Sequence, residues 1–263
     1  MSPSDGGAAA PLPGGGRLDA AGARRQGAIG LALAAGVFGA WLGLHVWTVF
    51  FLPLAPAALV AAPLLVALLT WLDVGLFIVA HDCMHGSLAP GRPGLNRAVG
   101  RAALLLYAGF SFDRLLPKHH AHHRHAGTER DPDFDAADGK RFWRWYGCFF
   151  REYFGLREFA VLAALPWGYV LLLGAPIPNL LLFWALPAIL SSLQLFAFGT
   201  WLPHRRAHEP FADRHQARSN DYGWLASLLT CFHFGYHHEH HVKPGAPWWK
   251  LPSVRAASRR GRD

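Results

Sequence analysis

The chain has 263 residues, of which 52% are hydrophobic and only 16% charged, with 11 Trp and 18 Phe. That balance excludes an ordinary soluble domain and points to a membrane protein. The net charge of +8, in a chain this apolar, fits contact with an anionic lipid surface, and no nucleic-acid partner is expected.

Residues 1–26 are rich in Gly, Ala and Pro and lack the basic, apolar, cleavage-site order of a signal peptide; they read as a disordered leader. Residues 27–54 hold no acid or base except His45, and residues 57–80 hold only Asp73. At about 1.5 Å per residue each stretch reaches ~36–40 Å, enough to cross a ~30 Å hydrocarbon core. Two shorter apolar stretches, about 159–175 and 180–202, contain Pro166 and Pro187, which membrane helices tolerate. The pattern predicts four spans in an all-α integral membrane fold.

Lys and Arg concentrate in the leader, between spans two and three, and after span four, while the turns 52–56 and 174–179 carry no charge. The positive-inside bias therefore puts both termini in the cytoplasm. Between spans two and three, Lys140, Arg141, Arg144, Arg151 and Arg157 alternate with Phe142, Trp143, Trp145 and Tyr153, the composition of a helix lying in the headgroups. Residues 27–252 make one membrane domain, followed by a basic tail, 253–263. Arg255–Arg260 is either a dock for an acidic protein or simply solvated. Cys83, Cys148 and Cys231 show no metal-site spacing and face a reducing compartment.

Most of the 16 histidines fall in three clusters near the edges of apolar segments. His81 and His85 are i and i+4; His119, His122 and His123 are i, i+3 and i+4; so are His237, His240 and His241. Each set lies on one face of a helix. His204, at the end of span four, is a ninth histidine at the same edge, either a ligand or an interfacial residue. One transition metal cannot use nine imidazoles, and a mononuclear zinc enzyme needs only three; the count argues for a dinuclear centre. Imidazole suits Zn, Cu, Fe and Ni alike, so the metal stays open at this point.

Around the clusters, His120, His125 and His238 fall off the ligand faces and are expected behind the ligands or on the surface. His233 precedes His237 by one turn and is either a ligand or a support. Carboxylates that could orient metal-bound imidazoles are Asp82, Asp113, Glu129, Asp131, Asp133, Asp221 and Glu239, although Asp131-Pro-Asp133 also reads as a helix stop. Asp73, about two turns before His81, is either such a support or a packing residue. Thr200, one turn before His204, is placed to hold a metal-bound water. His45 reads as a hydrogen-bonded packing residue, and His208 and His215 as surface.

The order His-x-x-x-His, His-x-x-His-His, His-x-x-His-His around four spans is similar to the membrane fatty-acid desaturase and hydroxylase superfamily. Its flanking stretches select a branch. Residues 80–93 (AHDCMHGSLAPGRP), 107–113 (YAGFSFD), 118–134 (KHHAHHRHAGTERDPDF) and 231–241 (CFHFGYHHEHH) resemble the bacterial beta-carotene ketolases, a likeness running from about residue 28 to 252. The resemblance implies a cytoplasmic centre of two iron ions on a bacterial inner membrane, using O2 and electrons from reduced ferredoxin, with no catalytic residue beyond the metal centre. It implies a carotenoid substrate held in the bilayer, oxidised at C4 and C4′ of its beta-ionone rings, so that beta-carotene passes through echinenone to canthaxanthin. Phe196, Phe198, Trp201 and Tyr222 are the expected pocket lining. Two alternatives stand beside this reading. One is an acyl desaturase or alkane hydroxylase on the same scaffold; the other is a non-enzymatic metal-binding or transport protein, with ligands spread along a path through the spans.

Overall fold

The computed structural model describes residues 18–206 and 210–260. Most of the expected leader (1–17), His208 and the last three residues of the tail (261–263) lie outside the described residues. Those described are helical with intervening loops and contain no strand. Four helices are long and apolar enough to span a membrane: α1 (Ala20–Phe51), α2 (Pro56–Met84), α6 (Leu156–Leu173) and α7 (Ile177–His204). Between the second and third run α3 (Pro93–Ala108), α4 (Phe112–His125) and α5 (Phe142–Tyr153); after the fourth come α8 (Trp224–Cys231), α9 (His237–Val242) and α10 (Leu251–Arg260). Of the basic and aromatic run expected to form one helix, α5 holds Phe142 to Tyr153, while Lys140 and Arg141 precede it and Arg157 belongs to α6.

The first span starts earlier than composition suggests. Residues 20–26 belong to α1, because Asp19 caps it, its Oδ1 accepting the Gly22 N–H at 2.6 Å. An N-cap of this kind satisfies an otherwise orphaned amide. Gln26 is buried and donates to the Ser87 carbonyl at 2.7 Å, so this end of α1 is tied to the loop after α2. Gly30 allows the approach: a Cβ there would meet the Leu88 carbonyl oxygen at 2.4 Å.

The second span is the hub. In its most apolar window 61% of residues are buried inside the protein, against 17% for α1, 28% for α7 and 6% for α6; the outer spans leave their apolar faces to lipid. Leu72, Leu76, Val79 and Ala80 of α2 pack on Ala34 and Trp41 of α1 and on Ala103 and Leu104 of α3. The opposite side of α2, Val74 and Ile78, meets Phe232, Phe234 and Trp248. Hydrocarbon offers no water to an unpaired polar group, and Asp73 and His45 inside the spans are each paired. Trp41 Nε1–H donates to Asp73 Oδ1 at 2.6 Å, and His45 stacks on Trp41 and reaches the Tyr169 hydroxyl at 3.2 Å. Of the two roles open to Asp73, the structure shows packing: it joins α1 to α2 and bonds to no histidine.

The prolines shape the fourth span. A proline ring at position i crowds the carbonyl of residue i−4. Pro187 and Pro203 place that crowding at Phe183 and Gly199, and both lie inside widened π-helical turns, Leu181–Ala185 and Phe196–Trp201. The wider turn takes up the ring without ending the span.

Replacing Trp41 by Phe removes the indole N–H that bonds the buried Asp73 carboxyl and is expected to cost about 1–3 kcal/mol. The check is a thermal melt of detergent-solubilised protein, in which the variant melts lower than the natural chain; an unchanged melting temperature would remove Asp73–Trp41 from the list of span–span ties.

Candidate metal centre

Each histidine cluster sits where a helix ends, so its backbone geometry follows from the apolar segment before it. His81 and His85 close α2, where the apolar stripe stops; His204 closes α7; His119, His122 and His123 form the last turns of α4; His237, His240 and His241 fill the short α9. These four ends meet at one place and sort into two groups. His81, His85, His119, His123 and His240 form one, and His122, His204, His237 and His241 the other, with one ring nitrogen of each residue within 4.8 Å of the others in its group.

The nitrogen separations are those of a shared coordination sphere. His119 and His85 approach through Nε2 at 2.7 Å, His240 and His123 at 3.0 Å, His241 and His237 at 3.0 Å, and His122 and His241 at 3.2 Å. Two nitrogens at right angles about a metal with bonds of about 2.1 Å would stand about 3 Å apart. Both ring nitrogens of His81 and the Nε2 of His204 are buried with no hydrogen-bond partner. Burying an unpaired polar nitrogen is costly, and a cation is the partner that all of these atoms lack together. The donor set, all imidazole, fits a pair of transition metals of the borderline class.

Electrostatics keep most of the lone pairs free. Burial lowers His85 to about 3, and it holds His119, His123, His237, His240 and His241 well below the ordinary histidine value, helped by the neighbouring imidazoles. These rings are neutral, the form a metal binds. His122 differs. Burial pushes it down, but Asp131 and Asp133 overcome that and lift it to about 9. Its Nδ1–H donates to Asp131 Oδ1 at 2.9 Å, leaving Nε2 turned to the other histidines. His204 is oriented likewise, its Nδ1–H donating to the Gln216 carbonyl at 2.7 Å. Such second contacts fix the tautomer and raise ligand basicity. Asp131 is itself held by the Gly127 and Asp133 amides at 2.8 and 2.9 Å, so it also makes the turn that the helix-stop reading expects.

An apolar cavity of about 100 Å³ opens directly onto the centre. His81, His119, His122, His237 and Thr200 form its inner end; Phe77, Tyr107, Phe110, Phe149, Phe150, Tyr153 and Leu195 form its walls. Several of these carried a periodic signal. Phe77, Leu115 and Thr200 stand one turn before His81, His119 and His204, and Ser192, Leu195 and Gly199 run along the same stripe of α7. Tyr153 was not legible in this way. It reaches the centre from α5, its hydroxyl donating to Asp133, and only the tertiary fold brings them together. Burial pushes Asp133 up to about 6, with Asp131 adding to it, and holds the Tyr153 hydroxyl well above its usual range.

Other expected neighbours are elsewhere. Asp113 lies in an exposed pairing with Arg97 and Arg101 at 2.9 and 2.8 Å, and Glu129 is exposed. Asp221 is 77% exposed and pairs with Arg255 and Arg259. Asp82 accepts the Trp248 N–H at 3.3 Å, and Glu239 accepts from Ser219 and Arg255; neither reaches a histidine. Their sequence positions, next to ligands, put them on the opposite side of the helix. His233 is turned away from the centre because Phe232 and His233 take left-handed backbone (φ 47° and 62°), ending α8 before α9 starts; it packs against Tyr236 and Trp248. His120 bonds the Met84 carbonyl at 3.2 Å, His238 bonds Asp213 at 2.8 Å, and half-buried His125 ends α4. The expected lining is corrected too. Phe196 packs on Phe142, Trp145 and Tyr146, Trp201 donates to the Lys140 carbonyl, and Phe198 faces Tyr222; none of the four lines the cavity, to which α7 contributes Ser192, Leu195, Gly199 and Thr200 instead.

Removing the Asp131 carboxylate by Asp131→Ala should weaken metal retention about 10–100-fold while leaving the protein in the membrane. Metal content per chain after dialysis against a chelator measures this; retention equal to the natural chain would deny Asp131 the supporting role.

The chain matches the fatty acid desaturase family over residues 54–163 and 152–262. It is 53% identical to a beta-carotene ketolase of Paracoccus sp. (strain PC1) over 228 residues, covering 86% of this chain and 92% of that protein. It is 42% identical over 200 residues to a beta-carotene 4-ketolase of Haematococcus lacustris, which covers 73% of this chain and 62% of that protein. A zeaxanthin 4-ketolase of Chlamydomonas reinhardtii is 38% identical over 244 residues, 88% of this chain and 54% of its own. Four spans, histidine-bearing helix ends and these similarities agree: the chain belongs to the fatty acid desaturase family of membrane proteins.

Proposed function

We propose that this chain is a carotenoid ketolase that oxidises C4 and C4′ of beta-ionone rings, taking beta-carotene through echinenone to canthaxanthin. The observation that carries the reading is an apolar cavity, bounded by spans and by α5, that is lined by four of the nine converging histidines. The 53% identity to a Paracoccus beta-carotene ketolase supports this substrate class over acyl or alkane chains. A transport role is disfavoured because the histidines gather at one end of the spans rather than along them.

The nine histidines would hold two iron ions, five on one and four on the other. When bound, such a pair supplies O2 reduction and removal of a hydrogen atom from carbon. The chain's own residues do the rest. Neutral, buried imidazoles present their lone pairs inward, and Asp131 and the Gln216 carbonyl fix His122 and His204 in orientation. The aromatic and aliphatic walls exclude water and orient the ring so that its allylic CH2, the weakest ring C–H, faces the inner end; positioning of this kind sets which carbon reacts. Thr200 offers the one hydroxyl at that end from α7. Each round converts C–H, O2, two electrons and two protons to C–OH and water. A second round at the same carbon gives a gem-diol that loses water to the ketone. Electrons would come from a reduced ferredoxin-type donor on the cytoplasmic face of a bacterial inner membrane. The distribution of Lys and Arg supports that orientation.

Expression in a bacterium that accumulates beta-carotene tests the reading. New ketocarotenoids are expected from the intact chain and none from His240→Ala; unchanged beta-carotene with the chain present in the membrane and a working donor would overturn it. The cavity is tested separately with Gly199→Leu. Gly199 lines the cavity, and a Cβ there meets nothing within 4 Å, so the new side chain fills substrate space without a backbone clash. Turnover should fall about tenfold or more, the loss expected when a reacting carbon is displaced by an ångström, with metal content unchanged. Normal turnover would mean that the ring sits elsewhere.

A further inference from the structure

The basic tail is folded back onto the centre. Arg255 of α10 is only 17% exposed; its Nη1 donates to Glu239 Oε1 at 2.8 Å, and that carboxylate is 1% exposed. Glu239 lies in α9 between His237 and His240, in a helix of six residues, too short to be stable alone. Its other oxygen accepts from the Ser219 hydroxyl, which accepts the His238 N–H at 3.1 Å. The segment leading to Arg255 makes further ties. The Trp248 amide bonds Asp82, next to His81, and Lys250 Nζ bonds Gln26 Oε1 of α1 at 2.8 Å. Residues 248–255 thus bond the helix ends that carry the first and third histidine clusters.

We propose that Arg255 is a positioning residue for the metal centre. Its pair with Glu239 holds α9 in register with the end of α2, so that His240 reaches the group that contains His81 and His85. Neither member touches a metal-facing nitrogen; both act through α9. Loss of Arg255 leaves the buried Glu239 carboxylate with no cation beside it, which is strongly unfavourable, and loss of the Glu239 charge leaves Arg255 only the exposed Asp221; the short α9 is the element free to shift in response. The inference rests on reading the histidines as metal ligands. It also divides the tail: Arg255 belongs to the centre, and the residues beyond it do not.

The experiment uses the full chain purified from membranes, with Arg255→Leu, Arg255→Lys, Glu239→Gln and a form ending after Arg255. Iron per chain, the Mössbauer spectrum and the melting temperature are measured for each. Arg255→Leu and Glu239→Gln should hold iron roughly tenfold less tightly and give an altered spectrum. Arg255→Lys should recover part of both, and the form ending after Arg255 should match the natural chain. Full iron and an unchanged spectrum in Arg255→Leu would overturn the proposal. If that variant does not accumulate in membranes, Glu239→Gln decides on the same criterion. Loss of iron from the shortened form to the same degree as Arg255→Leu would also overturn it, because the tail as a whole would then be responsible. A natural chain that binds no iron would instead defeat the ligand reading.

Discussion

The structure depends on nine imidazoles gathered into two groups, buried or half-buried, with ring nitrogens as little as 2.7 Å apart. Imidazoles packed this closely repel if charged and waste hydrogen-bonding capacity if neutral. Only a shared cation relieves both costs, so metal binding and the final packing of the helix ends are coupled. The remaining features follow from that requirement. Four helix ends must arrive at one point, each must present a chosen face, and each ring must have its outward nitrogen fixed or shielded.

A membrane supplies the first of these conditions cheaply. Apolar spans insert by composition, and their ends then lie at one depth, near the polar boundary. The buried hub α2 carries His81 and His85 at its end, and α7 delivers His204 after two wide turns that hold the carbonyls its prolines crowd. The same arrangement gives an apolar cavity with lipid-facing helices around it and metal-binding atoms at its end. Water-insoluble substrate and polar chemistry meet there without either entering the other's solvent.

The charged residues divide by task. Asp131 acts on the centre directly through His122. Asp82 and Glu239 act on the segments that carry ligands, through Trp248 and Arg255. Asp73 serves span packing through Trp41. Four buried acids near one metal centre therefore have three kinds of work, and closeness in sequence to a ligand did not distinguish them.

The sequence by itself determined the spans and all nine histidines that converge. Those features rest on local periodicity: an apolar run of sufficient length spans, and i, i+3, i+4 histidines share a helix face wherever the helix is placed. It also carried the family, because the words around the histidines are contiguous. It did not determine which histidine joins which group, since His240 leaves its neighbours His237 and His241 to join His81, His85, His119 and His123. Nor did it place the cavity walls or the partners of the acids. Tyr153 with Asp133, Arg255 with Glu239 and Trp41 with Asp73 come from segments far apart in the chain, and only the tertiary structure sets such distances. The lining of α7 shows the remaining limit: Thr200 was marked by its spacing to His204, but the pattern of apolar residues did not separate Leu195 and Gly199, which line the cavity, from Phe196 and Trp201, which pack elsewhere.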